Sequence, residues 1–403
     1  MILYLYMLIA LFLGILAGIF TGLIPGLHVN MIAVALLSMS IFFLSYFEPI
    51  ILIVFLVAMA ITHTFVDYIP SIFLGAPDED NFLSILPGHN MLLKGEAYSA
   101  VIYTLYGSIS ALAIILLISP IFIFFLPEIY PYIERIIPFI LIIASGFLIY
   151  FEKNSRLWAI IIFLLSGFLG IASFNLPTSQ PLLPLFTGLF GISSLLTSLM
   201  KRQKIPTQRI RKVKNIKIKK SSICKSLFAA IISSPLVSFL PGLGASQAAI
   251  IGSEVIGDMN QKEFLMLLGA INTVVMGLGF IALYSIEKSR TGIAIAIQSI
   301  MKLDLFSLIV IISTIMVVGI LSFFITIILA KISSRTITLI NYKKLARFII
   351  IFLVIMIIIF SGIYGLLILI ISTALGFSCI RLGIKRTHLM GALLLPVILF
   401  YLL

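Results

Sequence analysis

Two short stretches carry residue types able to hold an anion inside a membrane. One is GIFTGLIPGLHVN (Gly18–Asn30) and the other is SPLVSFLPGLGASQ (Ser234–Gln247). In each, a Pro-Gly-Leu triplet interrupts an apolar run: Pro25-Gly26-Leu27 and, 216 positions later, Pro241-Gly242-Leu243. Proline removes an amide donor and glycine admits backbone angles closed to other residues, so a helix breaks at such a pair. The freed backbone groups cannot face lipid and must be buried or line a cavity. The half-helix beyond the break presents free amides and a positive dipole end, which suits an anion. One break alone reads most simply as a kink, since both residues are common in membrane helices. Two equivalent breaks, each followed by polar side chains, point to a ligand site. The residues expected to line it are Thr21, Pro25, Gly26, His28 and Asn30 in the first half. Their counterparts are Pro241, Gly242, Gly244, Ser246 and Gln247, joined by Asn272 from an apolar run and by Arg290, whose guanidinium could pair with a carboxylate.

A second group is acidic. GAPDEDN (Gly75–Asn81) sets Asp78, Glu79 and Asp80 side by side between apolar segments. Its plain reading is a solvated turn. Its functional reading is coupling to Na⁺ or H⁺, because carboxylates at membrane depth are costly and usually functional. The four histidines, His28, His63, His89 and His388, lack the spacing of metal-ligand pairs, so neither metal nor cofactor is expected. An uncharged polar cluster, Asn175, Thr178, Ser179 and Gln180, is flanked by prolines and reads as a tight turn or as a hydrogen-bonding wall of the cavity. No GxxxxGK[ST] loop, nucleophile elbow or HExxH motif is present, so neither an ATP-driven pump nor an enzyme is supported.

The elements that must position these residues are membrane helices. The chain of 403 residues is 62% hydrophobic and 10% charged, with mean hydropathy +1.26, far more apolar than a soluble domain. Apolar runs of about 20 residues, the length of a spanning helix, recur throughout. They are expected near 4–24, 30–47, 49–66, 98–126, 133–150, 157–173 and 183–199, then near 226–241, 244–256, 263–284, 305–330, 348–378 (one or two segments) and 387–402. The first is read as a retained helix, because it lacks a basic n-region and a cleavage site. Cys224 and Cys379 are far apart and imply no disulfide. The net charge of +13 is concentrated in KRQKIPTQRIRKVKNIKIKK (Lys201–Lys220), with ten basic residues and no acid. Such a loop stays cytoplasmic and can touch anionic headgroups of the lipid bilayer, so no nucleic-acid partner is expected. It divides the chain into an N-terminal transmembrane repeat (1–200), a basic cytoplasmic loop (201–222) and a C-terminal transmembrane repeat (223–403). Each half runs from a Pro-Gly break through helices to a charged hairpin, near 67–97 and 283–299, and on to more helices. Seven spans before a cytoplasmic loop place the N-terminus outside, and an odd number per half inverts the second half. The expected fold is an all-α polytopic membrane protein of two inverted-topology repeats with broken helices or re-entrant hairpins, with roughly 10–14 membrane segments.

Five stretches in order, GLIPGLHVN, GAPDEDNFLSILPGHNMLLKGEAYSAV, TSQPLLPLFTGLFGISSLL, LPGLGASQAA and RTHLMGALLLPVIL, resemble the permease of the tripartite tricarboxylate transporters, the TctA family, in a compact archaeal-type branch. The resemblance runs from the first helix to the last. Two departures are visible: His28 stands where relatives carry a second glycine after the first break, and the APDEDN segment is more acidic than theirs. The resemblance implies a secondary permease of a small organic anion, a di- or tricarboxylate, coupled to Na⁺ or H⁺. It also implies two partners, a small membrane subunit and an extracytoplasmic binding protein. A flippase for an anionic lipid carrier such as a polyprenyl phosphate is the alternative, since broken half-helices suit a phosphate headgroup equally.

Overall fold

The computed structural model describes residues 2–403 except 25–28, 39, 75–84, 153–154, 179, 201–205, 217, 241–243, 258, 289–290 and 338–341; the side chains of Asn30 and Gln247 also lie outside the description. Among the described residues all regular structure is helical. Seven helices or joined helices are long and apolar enough to cross a membrane, and two shorter apolar helices accompany them.

The first half contains α1 (Ile2–Leu23), α2 (Val29–Ser38), α3 (Ser40–Leu44), α4 (Pro49–Val66), α5 (Tyr68–Leu74), α6 (Ile85–Leu93), α7 (Ala97–Tyr150), α8 (Arg156–Asn175), α9 (Leu182–Phe186) and α10 (Ser193–Met200). A π-helical stretch, Thr187–Ile192, joins the last two. The second half contains α11 (Lys220–Phe239), α12 (Ala245–Ile256), α13 (Gln261–Ile286), α14 (Gly292–Ile300), α15 (Leu305–Thr336), α16 (Tyr342–Arg381), a 3₁₀ turn (Arg386–Met390) and α17 (Gly391–Leu402).

Local chemistry explains several of these ends. Pro49 opens α4 with the fixed φ that suits a first turn. Asn260 caps α13, accepting from the amides of Lys262 and Glu263, while Glu263 reaches back to the Asn260 amide. Asp304 caps α15 through the Ser307 amide at 2.8 Å. In α16, Gly362 has φ 64° and ψ −159°, a conformation essentially reserved for glycine, and the helix kinks there. The turn after α8 pins that kink: Thr178 donates to the Ser361 carbonyl at 3.1 Å and Ser361 donates to the Gln180 carbonyl at 2.9 Å. Thr178 and Gln180 of the polar cluster thus brace α16. Two sequence expectations differ in detail. The runs 98–126 and 133–150 form one continuous α7, because Pro120, Pro127, Pro131 and Pro138 each remove one ladder bond without unwinding the neighbouring turns. The segment 283–299 is not one hairpin: α13 continues to Ile286, Glu287 turns left-handed at φ 53°, and α14 follows.

Helices α4 and α13 are buried nearly all round and form the centre; α1, α8, α15 and α16 present large apolar side chains outward, as lipid-facing helices do. Helix α1 runs parallel to α4. Gly14, Gly18 and Gly22 successively meet Ala58, Thr62 and Val66, with no room for a Cβ at any of the three. Helix α11 runs parallel to α13, from Ser222 against Glu263 to Ser238 against Gly279. Helix α4 pairs in parallel with α15 through Thr62–Ser322 and, farther on, Pro70 and Leu74 beside Ser333 and Thr336. Helix α7 pairs in parallel with α13, from Tyr103 beside Lys262 through Ser108 and Gly269 to Tyr130 beside Lys288. Helices α7 and α15 run antiparallel, with Tyr106 against Phe323 and Leu112 against Gly319. The basic loop folds back on the start of α7: Gln208 accepts from the Ala97 amide and donates to the Leu92 carbonyl, and the Arg209 amide donates to the Gly95 carbonyl.

Candidate functional site

A band of buried polar side chains runs along the end of α4 and into α5, in the stretch AITHTFVDYIPS (Ala60–Ser71). Thr62, His63, Thr64 and Asp67 are each at most 5% exposed. Their consecutive positions send them to three different neighbours. The Thr21 hydroxyl of α1 donates to the Gly18 carbonyl and lies 3.1 Å from His63 Nδ1. Ser322 of α15 donates to Thr62 at 3.1 Å. Toward α13, the Thr64 and Thr273 hydroxyls are 3.3 Å apart, and Asn272 Nδ2 donates to Asp67 Oδ2 at 3.0 Å.

Asp67 stands where the helix is interrupted. Pro70 has no N–H, so the Val66 carbonyl receives no helical donor, and the chain turns between α4 and α5. Ser71 repairs the next step by donating its hydroxyl to the Asp67 carbonyl at 2.9 Å. Thr64, Asp67 and Ser71 fall at i, i+3 and i+7, one face of the helix. A carboxylate, an amide and two hydroxyls therefore meet where one half of the chain crosses the other.

The described residues just ahead of both Pro-Gly pairs lie near this crossing. Gly22, just ahead of the first, packs against Val66 and the Asp67 amide. Ser238, just ahead of the second, lies beside Gly279, seven residues or roughly 10 Å along α13 from Asn272. Of the residues expected from the sequence, Thr21 and Asn272 both reach the band, Thr21 from α1 at His63 and Asn272 from α13 at Asp67. Gly244 and Ser246 are buried at the start of α12. Asn30 lies in α2 and Gln247 in α12 by backbone, with side chains outside the description. Pro25, Gly26, His28, Pro241, Gly242 and Arg290, and the acids Asp78, Glu79 and Asp80, lie outside the described residues. Sequence reasoning passed over Asp67, although a single acid inside an apolar run at Pro49–Leu74 is itself a signal.

It also missed a second polar assembly, where the ends of the two halves meet. His388 and Glu152, both buried, approach to 3.0 Å through Nε2 and Oε2, and Glu152 Oε2 also accepts from the Lys385 amide at 3.0 Å. Lys385 Nζ bonds the Phe151 carbonyl and Glu254 Oε1, at 3.1 and 3.2 Å. Glu254 is thus paired with a lysine 131 positions on, within the second half. Arg386 docks on the π-helical turn. Its guanidinium donates to the Leu189 and Phe190 carbonyls at 3.0 and 2.6 Å and to Ser193 and Ser194, and lies over the Phe190 ring. A π-helix opens its ladder by one residue and leaves carbonyls available; the arginine fork takes them. In the charged region after α13, Lys302 pairs with Glu287 at 2.6 Å and Lys288 with Glu134 at 3.1 Å.

Comparison with known proteins agrees with this architecture. The chain is 32% identical over 392 residues to the uncharacterized protein MJ1079 of Methanocaldococcus jannaschii, covering 93% of each chain. No solved structure matches. The sequence profile of the tripartite tricarboxylate transporter TctA family matches residues 8–391, essentially the whole chain. With its multiple apolar spans it is a multi-pass integral membrane protein of the cell membrane and a permease by family. The chain belongs to the tripartite tricarboxylate transporter TctA family.

Proposed function

We propose that the protein is a secondary carrier that moves a small organic anion, a di- or tricarboxylate, with the energy of a Na⁺ or H⁺ gradient. The observation that carries this reading is the buried polar crossing of α4 and α13, with the end of α1 beside α4 and the end of α11 beside α13; in the sequence a Pro-Gly pair follows each of those two ends. Half-helix amides at Gly26–His28 and Gly242–Ser246 would hold the substrate carboxylates. Thr21, Asn30, Gln247 and Asn272 would supply hydrogen bonds, and Arg290 a countercharge.

Two inverted repeats account for the helix pairings. Replacing α1, α4 and α7 by α11, α13 and α15 turns one set of parallel pairs into the other: α1 with α4 becomes α11 with α13, and α13 with α7 becomes α4 with α15. The exchanged pair α7 and α15 run antiparallel, as an axis in the membrane plane requires. A small membrane subunit and an extracytoplasmic binding protein are the partners that the family's three-part name suggests. The central band holds hydroxyls, the His63 imidazole, one amide and one carboxylate, groups able to hydrogen-bond a bound anion or its carrier.

Uptake of labelled citrate and succinate into liposomes holding the purified protein tests this reading. An imposed inward Na⁺ or H⁺ gradient is expected to drive accumulation of at least one acid above its equilibrium level. Equal and passive distribution of both acids under every gradient would remove the carboxylate carrier and favour a lipid-phosphate flippase.

A further inference from the structure

The basic loop is a strap with two unlike faces. Its inner face grips the turn between α6 and α7. The buried Gln208 side chain accepts from the Ala97 amide at 3.0 Å and donates to the Leu92 and Pro206 carbonyls at 3.0 and 2.7 Å. One side chain thus serves the end of α6 and the start of α7. Beside it the Arg209 amide donates to the Gly95 carbonyl at 2.8 Å. Gly95 holds φ 75°, and a Cβ there would lie 2.8 Å from the Thr207 carbonyl oxygen. Ile216, also buried, seats the strap farther on. The outer face is cationic. Arg209, Lys212, Lys214, Lys219 and Lys220 are exposed, and among the described residues none of the five pairs with a carboxylate. Only Arg211 between them does so, with Glu96 at 3.6 Å.

These charges stand at the edge of the membrane. Lys220 opens α11, which carries Phe228, Ile231 and Ile232 outward as a lipid-facing helix does. Eight residues, roughly 12 Å, separate Lys220 from Phe228, which sets the lysine in the polar layer above the apolar band. Arg209 is held beside the first residues of α7. Lysine and arginine clustered at the cytoplasmic ends of spans attract the anionic lipids of that leaflet. We propose that the outer face of the strap binds anionic phospholipid headgroups, and that the bound lipid locks the turn between α6 and α7. A pinned segment gives up less freedom on binding than a loose one, so its charges act together. The lock has a path inward: Gly88 of α6 packs directly on the Ile72 side chain of α5, and α5 starts next to Asp67 of the central band. The charge of the leaflet therefore sets how firmly α6 is held. The inference stands apart from the carrier reading, since neither the strap nor its ligand involves the transported substrate.

Hydrogen exchange of the Ala97 and Arg209 amides reads the lock directly. Wild type would be compared in vesicles of phosphatidylcholine alone and in vesicles with one-third phosphatidylglycerol. Exchange is expected to slow at least about tenfold in the anionic vesicles, and about 0.5 M NaCl to remove the difference. The combined variant Lys212→Gln, Lys214→Gln, Lys219→Gln, Lys220→Gln is expected to exchange equally in both, at the wild-type rate for neutral vesicles. Monodisperse elution from a sizing column before reconstitution qualifies it. Equal exchange of wild type in both vesicles overturns the proposal, as does protection by phosphatidylglycerol that survives in the combined variant. Protection by soluble polyphosphate and not by the lipid would assign the face to a cytosolic polyanion and overturn the headgroup site.

Discussion

Replacing Gly107 or Gly269 by leucine is expected to leave almost no folded protein. The two glycines bring the backbones of α7 and α13 into contact. A Cβ on Gly107 would lie 1.9 Å from the Met266 carbonyl oxygen and 2.7 Å from the Ala270 amide. One on Gly269 would lie 2.0 Å from the Thr104 carbonyl oxygen. All three obstacles are main chain, which cannot rotate aside. Ser108 holds the same contact by donating to the Gly269 carbonyl at 3.0 Å. Helices in lipid associate through such small-residue approaches because no solvent drives them together. Forced separation would also open the core of α13, where Leu265, Leu268, Ile271 and Val274 are buried. Overpacking in cores costs about 1–3 kcal/mol and more where relief is impossible. Gly146 on the same α7 has nothing within 4 Å of a built Cβ, so Gly146→Leu is the control. Size-exclusion profiles of detergent extracts should show Gly107→Leu and Gly269→Leu aggregated or missing and Gly146→Leu like wild type. A normal, stable peak from Gly107→Leu would contradict the packing described.

Arg386→Ala is expected to be the next most damaging change. The guanidinium ties the second half to carbonyls of Leu189 and Phe190 in the first. Ser193 and Ser194 each bond one of the same carbonyls, so the acceptors are not abandoned when arginine is removed. What is lost is a charge-assisted fork and its stacking on Phe190, worth about 2–3 kcal/mol. Lysine offers a point charge and no planar fork. Arg386→Lys should therefore fall between wild type and Arg386→Ala and nearer to the latter. Ser194→Ala, which deletes one of the four partners, should cost least. Thermal unfolding in detergent ranks the three. Equal melting temperatures for wild type and Arg386→Ala would show that the clamp contributes nothing to stability.

The parts of the molecule legible in its sequence are those written in local pattern. Apolar runs announced the helices, and the two Pro-Gly triplets announced where α1 and α11 stop. The brace at Thr178 and Ser361 illustrates a limit: its residues stood out as a polar cluster, but their partner lies 183 positions away. Continuity of α7 was hidden because a proline signals a missing bond, and only the surrounding packing decides between kink and end. The π-helical turn at Thr187–Ile192 has no local signature beyond its glycines, and Arg386 gave no hint of docking there. Glu152 and His388 pair across 236 positions, a relation no periodicity encodes. Asp67 is a different case. Three adjacent acids at 78–80 made a louder signal than one acid inside a span, although burial in lipid makes the lone one costlier.

The central claim is that the two broken halves build one anion site, and direct binding tests it without depending on transport rates. Citrate and succinate would be titrated into purified wild type, Gly26→Leu and Gly242→Leu by calorimetry in saturating Na⁺. At least one acid is expected to bind wild type, with binding lost in each single variant, since each removes the close backbone approach on one side of a shared site. Undiminished binding by either variant would contradict a shared site and leave that Pro-Gly pair as a bend in a helix.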